Sequence, residues 1–402
     1  MELEQIKQQD MQYTMHTYRK FDVAFEKGTG AVLTAVGGKE YIDFASGIGT
    51  SCLGYADPEW VQAVSDQAAK IAHCSNLYYN PKMSAVAEQL CHATGMSRVF
   101  FGNSGAEANE GAIKIARKYS FLKYGAQAKR DVIITLSNSF HGRTITTLAA
   151  TGQDVFHDYF FPFTEGFIYA KPDLKEIEAA LSDQVCAVMI EPIQGEGGVN
   201  PLNKDFLQQL AAMLQKRDIL LIDDEIQTGC GRTGTFLCIE QFGVHPDLVT
   251  MAKGLAGGLP IGTVLCNEKL KDVFTYSDHG STFGGNMMSC AGAQVVLNRV
   301  CDPDFLKDVQ EKGEYFKQQL AKTLPEDLTN IRGLGLMIGA DPVAPLQAKD
   351  IAAKCIETGL TVLTAKTSLR FLPPLVITRE QIDEGIRRLR AAIDAEKGKE
   401  IL

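Results

Sequence analysis

Short apolar runs separated by helical segments dominate residues 60 to 270 of the chain. The runs are compact and rich in Val, Ile and Leu, which is typical of strands that are buried on both faces of a sheet. Six runs are predicted as strands: Val99-Phe100-Phe101, Val132-Ile133-Ile134, Ala187-Val188-Met189-Ile190, Ile219-Leu220-Leu221-Ile222, Leu248-Val249-Thr250 and Gly262-Thr263-Val264-Leu265. The pattern therefore predicts an α/β domain with a largely parallel sheet.

The two ends of the chain have a different pattern. Residues 20 to 55 predict a small meander, too thin to fold alone, with strand-like runs at 23–25, 31–36 and 41–44. Beyond residue 300 the order is helix, strand, helix, strands and helix. Thr378 and Gln381 have capping-box spacing at the start of the last helix, which we interpret as an ordinary amphipathic packing helix.

Composition then narrows the class of protein. The 402 residues carry 40 Lys and Arg against 49 Asp and Glu, and the formal charge of −9 excludes a nucleic-acid binder that acts through its overall field. No apolar stretch approaches the roughly 18 residues of a membrane span, and the acidic start Met1-Glu2-Leu3-Glu4 differs from a signal peptide. We therefore expect neither a nucleic-acid partner nor a membrane partner.

The ten cysteines are scattered along the chain without a C-x-x-C pair. Several of them lie inside apolar runs, so we expect reduced core residues and neither a disulfide frame nor a metal site. This use of cysteine predicts a cytoplasmic protein.

The segment after the run at 99–101 is a candidate phosphate site. Ser104 and Glu107 have capping-box spacing where a helix is predicted to begin. The backbone N–H groups of Gly105 and Ala106 would hold a phosphate at the positive end of that helix. Taken alone, the same residues favour an ordinary helix cap.

Two further strand ends carry reactive groups. Asp223 and Asp224 follow the run at 219–222, and we expect Asp224 beyond the carboxyl end of the sheet, where ligands bind, with Asp223 solvated. Lys253 follows the run at 248–250, and a partly desolvated lysine loses its proton and attacks aldehydes. Alone, the acids are also consistent with a metal ligand or a turn cap, and Lys253 with a surface lysine. Together, a phosphate cradle, an acid and an amine describe a pyridoxal phosphate site.

The motifs as a set resemble the class III, or ornithine-type, aminotransferases of the pyridoxal phosphate-dependent fold type I. They are S-G-A-E-A-N-E (104–110), S-F-H-G-R-T (139–144), E-P-I-Q-G-E-G-G (191–198), D-E-I-Q-T-G-C-G-R-T-G (224–234), A-K-G-L-A-G-G-L-P-I-G (252–262) and H-G-S-T-F-G-G-N (279–286). The resemblance runs from about residue 20 to the end. It implies a large cofactor-binding domain at 58–297 and a smaller α/β domain built from an N-terminal segment, 1–57, and a C-terminal part, 298–402.

The resemblance also implies a role for each cofactor residue. Lys253 matches the lysine that bonds to the cofactor and then shuttles the α-proton of the substrate. Asp224 matches the acid that keeps the pyridine nitrogen protonated. The other implied residues are Ile226 and Phe140 on the two ring faces, Gln227 at the ring hydroxyl, Ser104, Gly105 and Ala106 at the phosphate, and Thr282, which would reach the phosphate in the neighbouring subunit of a homodimer.

Four residues are implied at the substrate. Arg143 and Arg370 match positions that bind carboxylates, for which the guanidinium fork is suited, although surface salt bridges are the alternative for each. Glu196 matches a gate that pairs with Arg370 when the amino donor lacks a second carboxylate and swings away for glutamate. Ser281 is expected beside the substrate.

Within the family, the motifs most resemble those of the acetylornithine aminotransferases. The reaction implied is transfer of the terminal amino group of N2-acetylornithine to 2-oxoglutarate, which gives N-acetylglutamate 5-semialdehyde and glutamate in arginine biosynthesis. Ile48 stands where the branch that acts on free ornithine has a tyrosine, which argues against that branch. The alternatives are the same chemistry on 4-aminobutyrate, succinylornithine, acetyl-lysine or N-succinyl-diaminopimelate, a racemase or aminomutase on the same fold, and a cofactor-free binding or structural protein.

Overall fold

The computed structural model describes residues 2–398, so residue 1 and residues 399–402, which the expected domain bounds include, lie outside the described residues. The helices within 2–398 are α1 (Leu3–Tyr13), α2 (Ser46–Gly49), α3 (Pro58–Ala68), α4 (Pro81–Thr94), α5 (Gly105–Tyr124), α6 (Ile145–Ala150), α7 (Leu174–Ala180), α8 (Lys204–Lys216), α9 (Met287–Val300), α10 (Pro303–Thr323), α11 (Ala348–Thr358) and α12 (Arg379–Lys397). Within this part of the chain, no helix combines the length and the apolar character that crossing a bilayer requires.

The strands of the same residues form four sheets. They are β1 (Phe25–Thr29), β2 (Val32–Ala35), β3 (Glu40–Asp43), β4 (Arg98–Gly102), β5 (Val132–Leu136), β6 (Phe167–Ala170), β7 (Val185–Ile190), β8 (Ile193–Gln194), β9 (Asn200–Pro201), β10 (Leu220–Asp224), β11 (Leu248–Met251), β12 (Gly262–Cys266), β13 (Leu328–Leu334), β14 (Met337–Pro342), β15 (Leu360–Thr361), β16 (Leu363–Ala365) and β17 (Ser368–Phe371).

The largest sheet has seven strands in the order β4-β12-β11-β10-β7-β5-β6. Neighbouring strands from β11 to β6 run parallel, whereas β12 is antiparallel to both of its neighbours. All six predicted strands are present, and the prediction of an α/β fold with a largely parallel sheet is confirmed. The strand that the pattern missed, β6, lies at the edge of the sheet, where two of its four residues are exposed.

Both faces of this sheet are covered. Leu220 and Ile222 pack on one face with apolar residues of α5, and Leu221 between them packs into the larger core on the other face. All six residues of β7 are buried. Because successive side chains of a strand point to opposite faces, a run without polar residues is what a doubly covered strand requires.

The chain ends pair with each other in a second sheet, of order β1-β2-β3-β15. There β3 lies parallel to β15, with Ile42 opposite Leu360. Nearby, the Phe44 ring packs against Phe316 at 4.7 Å between centroids, and a Cβ on Gly385 of α12 would lie 2.1 Å from Cζ of Phe44. These contacts support the expected small domain, whose bounds stay a prediction.

Two local expectations have different outcomes. The capping box of α12 is confirmed, because Thr378 Oγ1 accepts a hydrogen bond from the Gln381 N–H at 3.2 Å and Gln381 Oε1 accepts one from the Thr378 N–H at 3.0 Å. The first strand was expected at 23–25 but runs over Phe25–Thr29. It is an exposed edge strand, so backbone pairing with β2 rather than an apolar pattern determines its extent.

Candidate active site

A cavity of about 420 Å³ lies where the carboxyl ends of β5, β7, β10 and β11 meet the start of α5. This volume is in the range of pockets that hold small molecules and cofactors. Parallel strands end at the same edge of their sheet, which brings segments distant in sequence together. The cavity is lined by nine of the residues expected from the sequence: Ser104, Gly105, Ala106, Phe140, Arg143, Asp224, Ile226, Gln227 and Lys253.

The start of α5 presents free backbone donors to this cavity. Ser104 Oγ caps the helix by accepting a hydrogen bond from the Glu107 N–H at 3.2 Å, while Glu107 accepts from the Asn103 N–H, so only half of a capping box forms. The N–H groups of Gly105 and Ala106 have no hydrogen-bond partner within residues 2–398. A side chain at Gly105 would not fit, because its Cβ would lie 2.8 Å from Cδ1 of Ile226.

Asp224 ends β10 and is held by two side chains. Its Oδ2 lies 2.7 Å from Nδ1 of His141 and accepts a hydrogen bond from the Asn109 amide at 2.8 Å. The Asn109 amide oxygen in turn accepts a bond from the Thr250 hydroxyl at 2.7 Å. The Asp224 carboxylate therefore has a fixed orientation in a buried, polar network that spans α5, β10 and β11.

Lys253 follows β11 and lines the same cavity. Dense protein around the amine lowers its pKa from the ordinary lysine value, and the charges of Glu196 and Asp224 only partly offset that effect of burial. The backbone of Lys253 has a φ of +43°, in the left-handed region that residues other than glycine seldom adopt. The site therefore combines an amine that loses its proton more easily than usual with local backbone strain.

Glu191 is a further acid in the cavity wall, directly after β7. Its carboxyl oxygens accept backbone hydrogen bonds from Phe140 at 2.9 Å and from Gly195 at 3.2 Å, so it ties the segment at 139–144 to the turn after β7. Burial raises the pKa of Glu191 to about 7, although the nearby His141 acts in the opposite direction.

Arg370 and Glu196 form an ion pair beside the cavity. Arg370 Nη1 donates to Glu196 Oε1 at 2.6 Å and to Gln227 Oε1 at 3.0 Å. Burial alone would raise the pKa of Glu196, but the Arg370 guanidinium outweighs it and lowers the pKa. Glu196 is therefore charged near neutral pH, and the pair contributes no net charge to the site.

Arg143 has a different environment. Its side chain is exposed at the cavity, and no carboxylate of residues 2–398 pairs with it. The guanidinium carbon lies 4.3 Å from the ring centre of Phe156 and 5.6 Å from that of Phe140. The two arginines therefore differ: Arg143 has no carboxylate partner within residues 2–398, whereas Arg370 is neutralised by Glu196.

Four of the expected residues lie outside the cavity lining: the paired Glu196 and Arg370, and also Ser281 and Thr282. Ser281 Oγ accepts a hydrogen bond at 3.0 Å from the side chain of Asn103, which lines the cavity. Thr282 is exposed. Sequence reasoning gave no role to His141, Asn109, Thr250 or Glu191, although His141 and Glu191 stand within quoted motifs at strand ends, which is a usable signal.

Residues 13–393 match the family model described as aminotransferase class-III. The chain belongs to the class-III aminotransferases. Enzymes of this family depend on pyridoxal phosphate, so the expected enzyme class and cofactor are confirmed. The alternative of a cofactor-free binding or structural protein is excluded.

Relatives of this class-III aminotransferase cover nearly its whole length. It is 49% identical over 388 residues to the acetylornithine aminotransferase of Haemophilus ducreyi, an alignment that covers 96% of this chain and 98% of the relative. The N-acetylornithine aminotransferase structure from Stenotrophomonas maltophilia superposes with a TM-score of 0.84 at 36% identity, covering 98% of this chain and 99% of the other. The ornithine aminotransferase structure from Toxoplasma gondii superposes with a TM-score of 0.94 at 32% identity, covering 99% and 96%.

The residues of the cavity fit pyridoxal phosphate. A pyridine nitrogen needs a fixed acid, an aldehyde needs an amine, and a phosphate needs free N–H donors at a helix start. The cavity of this aminotransferase offers Asp224, Lys253 and the start of α5 for these three needs. The individual roles stay predictions.

Proposed function

We propose that this aminotransferase moves the terminal amino group of N2-acetylornithine to 2-oxoglutarate, giving N-acetylglutamate 5-semialdehyde and glutamate. The observation that carries the proposal is a pair of arginines: Arg143 lines the cavity without a carboxylate partner within residues 2–398, and Arg370, which bonds the cavity residue Gln227, is neutralised by Glu196. A donor with one free carboxylate needs one free cation. A dicarboxylate acceptor needs two, and displacement of Glu196 would release the second.

The proposal that the donor carries an acyl group is supported by two further observations. The relative from Haemophilus ducreyi, 49% identical, is named for acetylornithine. Ile48, an exposed aliphatic residue, cannot hydrogen-bond the α-carboxylate of free ornithine. Both features support an acylated donor over free ornithine.

The chain's own residues would carry the proton transfers. When bound, pyridoxal phosphate supplies an aldehyde for the transferred amine and a ring that withdraws electrons from the bond to be broken. Lys253, with its lowered pKa, would accept and return the proton at the carbon that carries the amine. Asp224, fixed by His141 and Asn109, would hold a proton at the far side of the ring. Gln227, which already bonds Arg370, would orient the ring hydroxyl.

The remaining cofactor contacts are assigned in the same way. Ser104, Gly105 and Ala106 would hold the phosphate, and Ile226 and Phe140 would enclose the ring. Arg143 would bind the donor carboxylate, and Ser281 would support the substrate through Asn103. All of them except Ser281 line the cavity, which supports this assignment.

A homodimer is part of the proposal. Thr282 is exposed and does not line its own cavity, which fits a residue that serves the site of a second copy. Leu77, Tyr78, Tyr79 and Phe283 are also exposed, at 88%, 69%, 101% and 58%, and Asn76 bonds the Ser281 and Gly284 carbonyls. An apolar surface of this kind beside the site supports burial in a dimer.

The cytoplasm is the proposed compartment. All ten cysteines are free, which supports this proposal.

One second candidate has a specific observation in its favour. 4-Aminobutyrate also carries a single carboxylate and a terminal amine, so the unpaired Arg143 and the aliphatic Ile48 suit it equally. It lacks an acyl group, and no feature of the cavity excludes it.

Product analysis tests the proposal. The purified holoenzyme is incubated with N2-acetylornithine and 2-oxoglutarate, and glutamate and the semialdehyde are quantified. We expect equal amounts of both products with the wild type and neither with Lys253→Ala. Semialdehyde without glutamate, or glutamate at the same rate without acetylornithine, would contradict the proposal.

A further inference from the structure

An aromatic ring outside the motifs lies against the unpaired cation of the site. Phe156 ends a short 3-10 helix, Asp154–Phe156, and its ring centre is 4.3 Å from the Arg143 guanidinium carbon. Phe140, in the cavity wall, meets the same ring edge to face at 5.8 Å and 72°. The guanidinium is thus bounded by two rings, of which Phe156 is the closer.

The segment that carries Phe156 is tied to both ends of the segment that carries Arg143. The Gln153 amide donates to the Ser139 carbonyl at 3.0 Å, and Gln153 is buried. On the other side, Nε2 of His157 lies 2.9 Å from the Leu148 carbonyl oxygen. Phe156 stands between these two anchors, so its ring is a fixed platform relative to the backbone on either side of Arg143.

A ring on one face of a guanidinium leaves the in-plane N–H donors free. Stacking uses the face of the group, whereas carboxylates bind bidentately along its edge. Arg143 has no carboxylate partner within residues 2–398, and an exposed arginine without a partner samples many rotamers. The platform reduces that freedom without occupying the donors that a substrate carboxylate needs.

We propose that Phe156 is a positioning residue for carboxylate-bearing substrates, acting through Arg143 by holding its fork toward the cavity. The proposal rests on the proposed function, in which Arg143 binds the substrate carboxylate. It extends that function to a residue outside the cavity lining.

A double-mutant cycle on the holoenzyme tests this role. The cycle compares the wild type with Phe156→Leu, Arg143→Gln and the double variant Phe156→Leu/Arg143→Gln, and Phe156→Tyr is added as the conservative variant. For each protein, calorimetry measures the binding of glutarate, an unreactive dicarboxylate, and steady-state kinetics gives kcat and KM for 2-oxoglutarate. We expect Phe156→Leu to weaken glutarate binding and raise KM about threefold to tenfold, with kcat changed less than about twofold. Phe156→Tyr, which keeps the ring, restores both values. In the Arg143→Gln background the loss of Phe156 has no further effect.

The matched control is Phe160→Leu, at an exposed phenylalanine of the same segment whose ring contacts Tyr159. It should leave glutarate binding unchanged. If Phe156→Leu does not fold, Phe156→Met keeps the apolar volume, removes the ring and takes its place in the cycle.

The outcomes separate the two proposals. Equal losses from Phe156→Leu in both Arg143 backgrounds, or a kcat that falls as much as KM rises, overturn the positioning role. Arg143→Gln that binds glutarate as tightly as the wild type overturns the role of Arg143 itself, and the positioning role with it. Weak binding by Arg143→Gln beside unchanged binding by Phe156→Leu overturns the positioning role alone.

Discussion

Asp224 and His141 form a buried pair in which Oδ2 of Asp224 lies 2.7 Å from Nδ1 of His141. Nε2 of the same imidazole is buried and has no hydrogen-bond partner within residues 2–398. The ring therefore makes its single side-chain hydrogen bond within these residues to the acid, which lines the cavity. This relationship fixes the orientation of the Asp224 carboxylate in the cavity wall.

Removal of the imidazole should weaken both the fold and the cofactor site. His141→Leu leaves Asp224 buried with one hydrogen bond fewer, and we expect the free energy of unfolding to fall by about 1 to 3 kcal/mol. Urea unfolding measures this loss, and titration with pyridoxal phosphate should show weaker binding. His92→Leu, at an exposed histidine of α4, is the control and should change stability by less than about 0.5 kcal/mol. Equal effects of the two substitutions would contradict the account.

Lys253 should be essential for turnover and not for folding. Lys253→Ala removes the amine with the lowered pKa, so we expect no detectable amino transfer, together with a far-ultraviolet circular dichroism spectrum like that of the wild type. Lys253→Arg is the informative companion, because a guanidinium keeps the charge but cannot lose its proton near neutral pH. Turnover by either variant at more than about one thousandth of the wild-type rate would contradict the assigned proton transfer.

The Glu196–Arg370 pair should set the preference between donors. Glu196→Ala removes the carboxylate that neutralises Arg370, so the site gains a second unpaired cation for dicarboxylates. We expect kcat/KM for glutamate, relative to that for acetylornithine, to rise about tenfold, which corresponds to about 1.4 kcal/mol. Single-turnover kinetics with each donor measures the ratio. Glu88→Ala, at an exposed acid of α4, is a control that should leave the ratio unchanged, and a ratio that falls in Glu196→Ala would refute the gate.

Asp223 should make stability depend on pH. Burial raises the pKa of Asp223 well above its ordinary value, and the neighbouring Glu225, whose own pKa is raised to about 7 by burial, adds to the effect. The folded state therefore binds protons more tightly than the unfolded state. The resulting stability is complete below about pH 4 and is lost as pH rises through the raised pKa values.

Asp223→Asn should flatten this dependence. Between pH 5 and pH 8 the free energy of unfolding of the wild type should fall more steeply than that of the variant. Urea unfolding at several pH values measures the difference. Asp183→Asn, at an exposed acid, serves as the control and should follow the wild type. Parallel curves for Asp223→Asn and the wild type would contradict this prediction.

The expectation that Asp223 is solvated was wrong, and the reason lies in the strand. Asp223 is 0% exposed, and neither carboxyl oxygen has a hydrogen-bond partner within residues 2–398. Position 223 alternates with 224 in β10, so when Asp224 faces the cavity side, Asp223 must face the opposite, fully covered side of a central strand. Side chains alternate between the two faces of a strand, and this strand is predicted to be buried on both faces. Together these two facts indicate that Asp223 is buried.

Other parts of the site depend on packing that one sequence does not contain. The sequence indicates Lys253, Asp224 and the start of α5 as candidates, because each comes just after an apolar run. This signal is local in the sequence. Asn109 and Thr250, by contrast, meet across 141 positions of sequence at 2.7 Å, on a helix and a strand whose contact only the folded sheet creates. The sequence thus carries a signal for polar residues that follow a strand end, and no signal for two buried polar groups that bond to each other only after folding.

The most direct test of the central claim is a panel of amino donors against 2-oxoglutarate. The purified holoenzyme is assayed for kcat/KM with N2-acetylornithine, ornithine, 4-aminobutyrate, succinylornithine, acetyl-lysine and N-succinyl-diaminopimelate, with glutamate release as the common readout. We expect N2-acetylornithine to give the highest kcat/KM, with free ornithine and 4-aminobutyrate at least about tenfold lower. A large preference for 4-aminobutyrate, or no glutamate with any donor, would contradict the account.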